Sequence, residues 1–150
     1  MAEIQETVDA WSDYLETVAD WQQLVEGVKH KVGGCGNVYE LPNPIDRPDE
    51  SFAIADMRAL DLAEPHKHIN DETEIYFVLQ GVGQISVGSE ISSLYRGASI
   101  VTPPDTVHIT KPRKGLVLAV VNTPPFNVEN YVVVDPNERA VVEAIEKLNI

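Results

Sequence analysis

The sequence predicts an all-β domain, a sandwich or barrel, with a helical segment at each end. Between residues 52 and 134, short β-rich segments are separated by Gly, Pro, Asn or Asp. Such spacing is typical of antiparallel barrels and sandwiches. Near both termini apolar residues recur at helical spacing instead, which indicates amphipathic helices. The predicted strands are 52–62, 74–80, 82–87, 98–102, 106–110, 115–122 and 130–134.

The N-terminal part predicts a helix over residues 3–30, with Asp20 as an alternative start for a second helix. The glycine-rich run at 33–37 would end any helix, and the prolines of residues 41–50 indicate a loop that leads into the strands. We expect the apolar stripe of this helix to pack on the barrel or on a second subunit. The stripe comprises Trp11, Leu15, Val18, Trp21, Val25 and Val28.

The C-terminal part predicts a helix over 136–148. Asp135 is the expected N-cap, Pro136 occupies the first helical position, and Glu138 completes a capping-box pattern. The chain therefore divides into a helical segment with a loop (1–50), a barrel (51–135) and a C-terminal helix (136–150).

The charge of the chain argues against two classes of partner. Acidic residues number 24 against 11 basic ones, for a net charge of -13. A field of this sign repels phosphate backbones and anionic lipids, so we expect neither nucleic acid nor membrane as a partner. The N-terminus lacks the basic and apolar regions of a signal peptide, and no apolar run approaches the ~20 residues of a membrane span. We expect a cytoplasmic protein.

The histidines of the β-rich part indicate a metal site. His66 and His68 are two residues apart, so on a strand both side chains point to one face. Glu74 opens the next apolar segment, and His108 follows a Pro-Pro-Asp turn much later in the chain. Each alone has a plainer explanation as a surface pair, a solvated strand end or a structural histidine. Together their types suit Fe, Mn, Ni, Cu or Zn. His30 belongs to the helical segment and is not expected to take part.

These residues follow a known pattern, because the sequence resembles the cupin superfamily. The first cupin motif, G-x5-H-x-H-x3 or x4-E-x6-G, is matched from His66 to Gly81, and the second, G-x5-P-x-G-x2-H-x3-N, from Gly97 to His108. Glu74 is preferred to Glu72 as the motif glutamate because it keeps six residues before Gly81. The departures from the motifs are Leu60, Asp105 and Pro112, in place of two glycines and an asparagine, and a longer gap before Glu74.

The resemblance implies a jelly-roll β-barrel (a double-stranded β-helix) with one divalent transition metal ion, Fe, Mn, Ni or Zn, on His66, His68, Glu74 and His108. It further implies a small-molecule substrate and, as the first hypothesis, an enzyme of the dioxygenase or sugar isomerase/epimerase type. The alternative is a non-catalytic cupin module that is metal-dependent or binds a sugar. Cupins commonly pair through their sheets, and the apolar face of Ile75, Phe77 and Leu79 needs a cover. We therefore expect a homodimer, with a cover from the same chain as the alternative.

Two further residues are candidates for the catalytic site. Tyr76 shares the strand face of Glu74, so its hydroxyl can orient a substrate or act as an acid. Arg58, if it points inward, can hold a carboxylate or phosphate in a bidentate clasp. A wall aromatic and a surface charge are the plainer alternatives. The basic run 111–114 would either attract an anionic substrate or form a solvated turn.

Overall fold

A computed structural model describes residues 2–149. Three α-helices and a short 3-10 helix accompany a nine-stranded antiparallel sheet in this range. The helices are α1 (Ala2–Glu16), α2 (Trp21–Leu24) and α3 (Arg139–Leu148), and the 3-10 helix is Val128–Asn130. The strands are β1 (Lys31–Gly33), β2 (Gly36–Leu41), β3 (Ser51–Asp56), β4 (His66–His68), β5 (Thr73–Val87), β6 (Glu90–Leu94), β7 (Ser99–Thr102), β8 (His108–Thr123) and β9 (Tyr131–Val133).

Two long strands, β5 and β8, form the spine of the sheet and pair along their whole length. The second half of β8 also pairs with β3, and its first residue pairs with β4. On the other side, the first half of β5 pairs with β7 and the second half with β6. The sheet therefore curls around these two strands, and the predicted jelly-roll barrel with flanking helices is confirmed.

The two long strands bend where they cross from one half of the barrel to the other. Register shifts between Val78 and Gly83 mark the bend in β5. Gly81 has a φ of 80°, and a Cβ there would lie 2.2 Å from the Gly115 carbonyl oxygen, so only glycine fits. The sequence predicted two separate strands in place of each long strand: 74–80 and 82–87 in place of β5, and 106–110 and 115–122 in place of β8. The ladder instead continues through both bends, and the basic run 111–114 lies within β8 rather than in a turn.

The pleat of β5 separates two apolar clusters. Tyr76 and Val78 point into the barrel, where they pack with Leu116 and Leu118. Residues of the opposite parity pack outside the barrel against α1 and α2. This alternation is the period of two that places neighbouring strand residues on opposite faces. The outer cluster includes Trp11, Leu15, Trp21, Phe52, Ile54, Ile75, Phe77 and Val121.

The cover of the outer face comes from the same chain. Trp11 is fully buried, its ring centroid lies 4.9 Å from that of Phe52, and it shares a cluster with Ile75 and Phe77. The apolar face that motivated the homodimer is thus explained without a second subunit, and this was the alternative. The homodimer itself stays a prediction.

The N-terminal segment differs from the predicted helix over 3–30. Helix α1 ends at Glu16, and the separate short helix α2 begins after Asp20, whose Oδ1 accepts from the Gln22 backbone N–H at 3.0 Å. The hairpin of β1 and β2 then follows, and β2 pairs with β3 from Asn37 to Leu41. The stretch before residue 50 therefore contributes strands to the sheet, which the glycine-rich sequence did not indicate.

The C-terminal helix begins later than predicted. Helix α3 starts at Arg139 with Glu138 at the cap position, while Asp135 Oδ1 accepts from the Asn137 backbone N–H in a preceding turn. Its apolar face packs on the outside of the other half of the barrel, where Val141 and Leu148 contact the cluster of Ile109. Among the helices described in residues 2–149, none has the length and apolar character needed to cross a membrane.

Candidate metal and substrate site

The barrel interior holds a buried cluster of four residues from three strands. His66 and His68 lie on β4, Glu74 is the second residue of β5, and His108 begins β8 directly opposite His66. All four side chains are buried. The structure thus brings together the four residues that the sequence predicted as metal ligands.

The ligand atoms of this cluster lie close enough to share one ion. One atom from each residue lies within 4.8 Å of all the others. Glu74 Oε1 is 3.0 Å from His108 Nε2 and 3.7 Å from His66 Nε2, and Glu74 Oε2 is 3.2 Å from His68 Nε2. Three imidazoles and one carboxylate around one point are a donor set that transition metals accept.

The far side of each imidazole is fixed by an acceptor. His66 Nδ1 donates to the Glu64 carbonyl oxygen at 2.9 Å, and His108 Nδ1 contacts the Thr106 carbonyl oxygen at 3.3 Å. His68 Nδ1 lies 2.5 Å from Glu72 Oε2. Because each Nδ1 faces an acceptor, it carries the ring proton in the neutral histidine, and each Nε2 turns a lone pair to the common point.

One buried nitrogen atom of the cluster has no hydrogen-bond partner. His68 Nε2 is buried and makes no hydrogen bond in the structure, although Glu74 Oε2 lies nearby. A buried polar atom without a partner is costly, since it has lost its hydration without replacement. A metal ion at the common point would satisfy this lone pair, so the residues present fit such an ion.

The charges of the cluster are strongly coupled. Burial alone would raise the pKa of Glu74, but the imidazoles of His108, His66 and His68 around its carboxylate hold that pKa well below its ordinary value. Burial alone would lower the pKa of His68, yet the neighbouring Glu74 and Glu72 raise it. For His108 burial prevails, and its pKa is lowered. An ionised Glu74 among neutral imidazoles is the state that binds a cation.

Glu72 supports the cluster from behind and was not predicted in this role. Its side chain is fully buried, and both oxygens accept hydrogen bonds. Besides His68, the donors are Asn122 Nδ2 at 2.8 Å, the Asn127 backbone N–H at 3.1 Å and Asn130 Nδ2 at 3.1 Å. The sequence considered Glu72 only as an alternative ligand. Its spacing of four residues from His68 was the available signal, but the asparagines lie on distant segments.

A second polar group borders the cluster on its other side. The ring of Tyr131 stacks on His66 with centroids 4.4 Å apart, and its hydroxyl donates to Glu64 Oε2 at 3.0 Å. Cys35 Sγ lies 3.7 Å from the same hydroxyl. Burial raises the pKa of Tyr131 and raises that of the Cys35 thiol to about 12, so both stay protonated. Sequence reasoning missed this group, because its members come from β9, β1–β2 and the segment before β4.

The two predicted catalytic candidates lie in different places. Tyr76 is buried beside the cluster, with its ring centroid 5.8 Å from that of His108, and burial together with Glu74 raises its pKa well above the ordinary value. Arg58 instead forms a bidentate pair with Asp56 at 2.9 Å for each bond, and its guanidinium lies over the Trp21 ring. Arg58 therefore faces the α2 side of the sheet, as in the plainer alternative, and does not contact the cluster.

A cavity of about 530 Å³ opens from the cluster towards the β1–β2 hairpin. Cavities of this size accept small metabolites. Its inner end holds His66, Glu74, Tyr76, Asn122 and Tyr131. A ligand in this cavity would contact two members of the cluster, His66 and Glu74, and both tyrosines.

Comparisons with known proteins identify the fold. Neither a protein-family profile nor a curated protein matches the sequence. Among solved structures, Streptomyces Pac13 with uridine is similar with a TM-score of 0.62 and 15% identity, over 74% of this chain and 88% of that one. Pac13 is described as a nucleoside dehydratase. KdgF from Halomonas sp. gives a TM-score of 0.55 and 20% identity, over 66% of this chain and 87% of that one.

A third similar structure is named as a cupin. The RmlC-like cupin of Desulfovibrio desulfuricans has a TM-score of 0.51 and 20% identity, over 59% of this chain and 82% of that one. Identities this low establish the fold rather than the activity. Together with the curled antiparallel sheet, they show that the chain has the barrel fold of these cupin structures, as the resemblance drawn from the sequence implies.

Proposed function

We propose that this cupin is a metal-dependent enzyme that acts on a small molecule. One observation carries the proposal. Three buried imidazole Nε2 atoms and one carboxylate converge on a point, with each imidazole held from behind by an acceptor. A structural role for buried histidines does not require this convergence, and it leaves the unpartnered Nε2 of His68 unexplained.

The proposed ion is one divalent transition metal held by His66, His68, Glu74 and His108. The donor set is mixed nitrogen and oxygen, which suits Fe, Mn, Ni or Zn. When bound, such an ion supplies Lewis acidity to a substrate oxygen or, if it is redox-active, the capacity for oxygen chemistry. The site faces the cavity on one side, so a substrate has access to it.

Side chains with hydroxyl groups would orient the substrate and transfer protons. Tyr76 is assigned as a hydrogen-bond donor that orients a substrate oxygen at the inner end of the cavity. The Tyr131 hydroxyl, which donates to Glu64 Oε2, is assigned as a relay that passes a proton between the substrate and the Glu64 carboxylate and itself stays protonated. Apolar side chains around these groups make the surroundings less polar, which strengthens each hydrogen bond they make.

The reaction class has two leading forms, oxygenation and a non-redox proton transfer such as isomerisation, epimerisation or dehydration. The tyrosines around the site favour the second, because they supply proton donors where the substrate would lie. Pac13 is named as a nucleoside dehydratase and is described with uridine, so a similar barrel does carry out such chemistry.

The test is reconstitution followed by two activity screens. Protein stripped of metal is loaded with Fe, Mn, Ni or Zn, and oxygen uptake and solvent-deuterium incorporation into candidate hydroxy and carbonyl compounds are measured. We expect turnover that is lost in His68→Ala and reduced in Tyr131→Phe, while Arg58→Ala is unaffected. Metal-loaded protein that binds ligands reversibly and is silent in both screens would refute the enzyme in favour of a binding module.

A further inference from the structure

The outer part of the cavity is apolar. Beyond the inner polar end, its walls are formed by Val38, Ala53, Ala55, Met57 and Val120. At the mouth, Phe126, Val128 and Val32 are exposed in the structure, with Val128 at 73% and Val32 at 79%. A ligand that reaches the inner end must place its remaining surface against these side chains, and apolar surface gains most from that contact.

The cavity also lacks a free positive charge among the residues that the structure describes. Among the described residues that line the cavity, Lys31 is the one lysine or arginine. It lies at the rim, and its Nζ is 3.2 Å from Glu40 Oε1. Glu64 and Glu74 line the inner part. The whole chain adds a net charge of -13. Apart from the proposed metal ion, the described side chains that line the cavity therefore offer no compensation for the charge of an anionic group.

The basic side chains that the sequence suggested for binding an anionic substrate are paired with other groups of the protein. Arg58 is paired with Asp56. The basic run on β8 lies outside the barrel, where Lys111 donates to the Asp61 carbonyl oxygen at 2.8 Å and Arg113 donates to the Leu148 carbonyl oxygen. A phosphate or carboxylate on the substrate would thus enter the cavity without the bidentate partner that such groups require when they are desolvated.

We infer that the substrate is an uncharged molecule with an apolar body and an oxygen-bearing end, rather than a phosphorylated or carboxylated metabolite. The inference rests on the proposed metal-dependent function and narrows its substrate class. The oxygen-bearing end reaches His66 and Glu74, and the apolar body lies along Val38, Met57 and Val120.

The test compares two hydroxypyranones with the same chelating ring. Kojic acid carries a neutral hydroxymethyl group where comenic acid carries a carboxylate. Both compounds lose the proton of the same ring hydroxyl group on chelation. Binding to zinc-loaded and metal-free protein is measured by calorimetry, and the metal content of the recovered protein confirms that neither compound removes the ion. We expect kojic acid to bind at least about tenfold more tightly to the loaded protein, because the carboxylate of comenic acid would be desolvated against apolar walls without a cationic side chain beside it.

A positive charge introduced at the mouth of the cavity tests whether the ligand binds in this cavity. Val128→Lys adds a cation at an exposed lining position, and Val142→Lys adds the same charge on α3, outside the cavity. We expect Val128→Lys to improve comenic acid binding by roughly three- to tenfold and Val142→Lys to leave it unchanged. Comenic acid that binds as well as kojic acid, or equal effects of the two lysines, would overturn the inference while the proposed function stands. If neither compound binds in a metal-dependent way, both are overturned.

Discussion

The buried carboxylate of Glu72 offers a sharp test of how the site is held, through the substitution Glu72→Gln. Oxygen Oε2 accepts from His68 Nδ1 and Asn122, and Oε1 accepts from Asn127 and Asn130. A glutamine has the same shape but presents an amide N–H₂ to one of these two pairs of donors. If the N–H₂ faces His68, the ring proton must move from Nδ1 to Nε2, where it blocks the lone pair that would bind metal.

The opposite amide orientation leaves the Asn127 and Asn130 donors without an acceptor. That loss costs about 1–3 kcal/mol of stability, so the protein cannot accommodate the substitution without cost. We expect the metal affinity of Glu72→Gln to fall about 10- to 100-fold, the range seen when a partner behind a ligating histidine is removed. Each tenfold loss corresponds to about 1.4 kcal/mol.

The assay is competition for metal against a chromophoric chelator, with thermal unfolding measured in parallel. Glu50→Gln is the matched control, because Glu50 is also a buried carboxylate, accepting from Thr7, Trp11 and Arg47 away from the cluster. We expect Glu50→Gln to lower stability and leave metal affinity unchanged. A folded Glu72→Gln protein whose affinity lies within about twofold of the parent would refute the role of Glu72.

Other properties of the chain follow from its contacts. Hydrogen bonds to Glu50 outweigh its burial and lower its pKa, so its contribution is present above the ordinary glutamate pKa of about 4.3 and is lost as the pH falls through the lowered value. The free energy of unfolding should therefore depend less on pH in the acid range for Glu50→Gln than for the parent protein. Trp11→Ala should lower the free energy of unfolding by about 3–5 kcal/mol in denaturant titrations, because it uncovers the outer face of the sheet. Metal affinity should weaken as the pH falls, and the weakening should begin above the ordinary imidazole value of about 6.5, because His68 has a raised pKa and a protonated imidazole cannot bind. Arg58→Ala should leave metal affinity unchanged, as measured by the same competition.

The core of the site was predictable from the sequence because it depends on local periodicity. His66 and His68 share a face on any extended strand, and Glu74 and Tyr76 share one on the next. The resemblance to the cupin motifs then linked these residues to His108. The structure places all of them around one point or beside it.

The parts that the sequence missed depend on contacts between distant segments. Tyr131 and Cys35 meet from opposite ends of the chain, and no spacing rule connects them. The β1–β2 hairpin is short and glycine-rich, so its strand pattern is too weak to recognise, and pairing with β3 defines it. The cover of the outer face by Trp11 likewise required the tertiary structure, because an amphipathic stripe indicates burial without naming its partner.

The metal content of protein purified without chelators tests the central claim most directly. We predict about one divalent transition metal ion per chain by elemental analysis, since one set of converging donors is present in the described residues. The substitution His108→Ala should reduce that content sharply, and His30→Ala should leave it unchanged, because His30 packs beside Tyr39 away from the cluster. Protein with a stoichiometry near zero, unaltered by added Fe, Mn, Ni or Zn, would contradict the account.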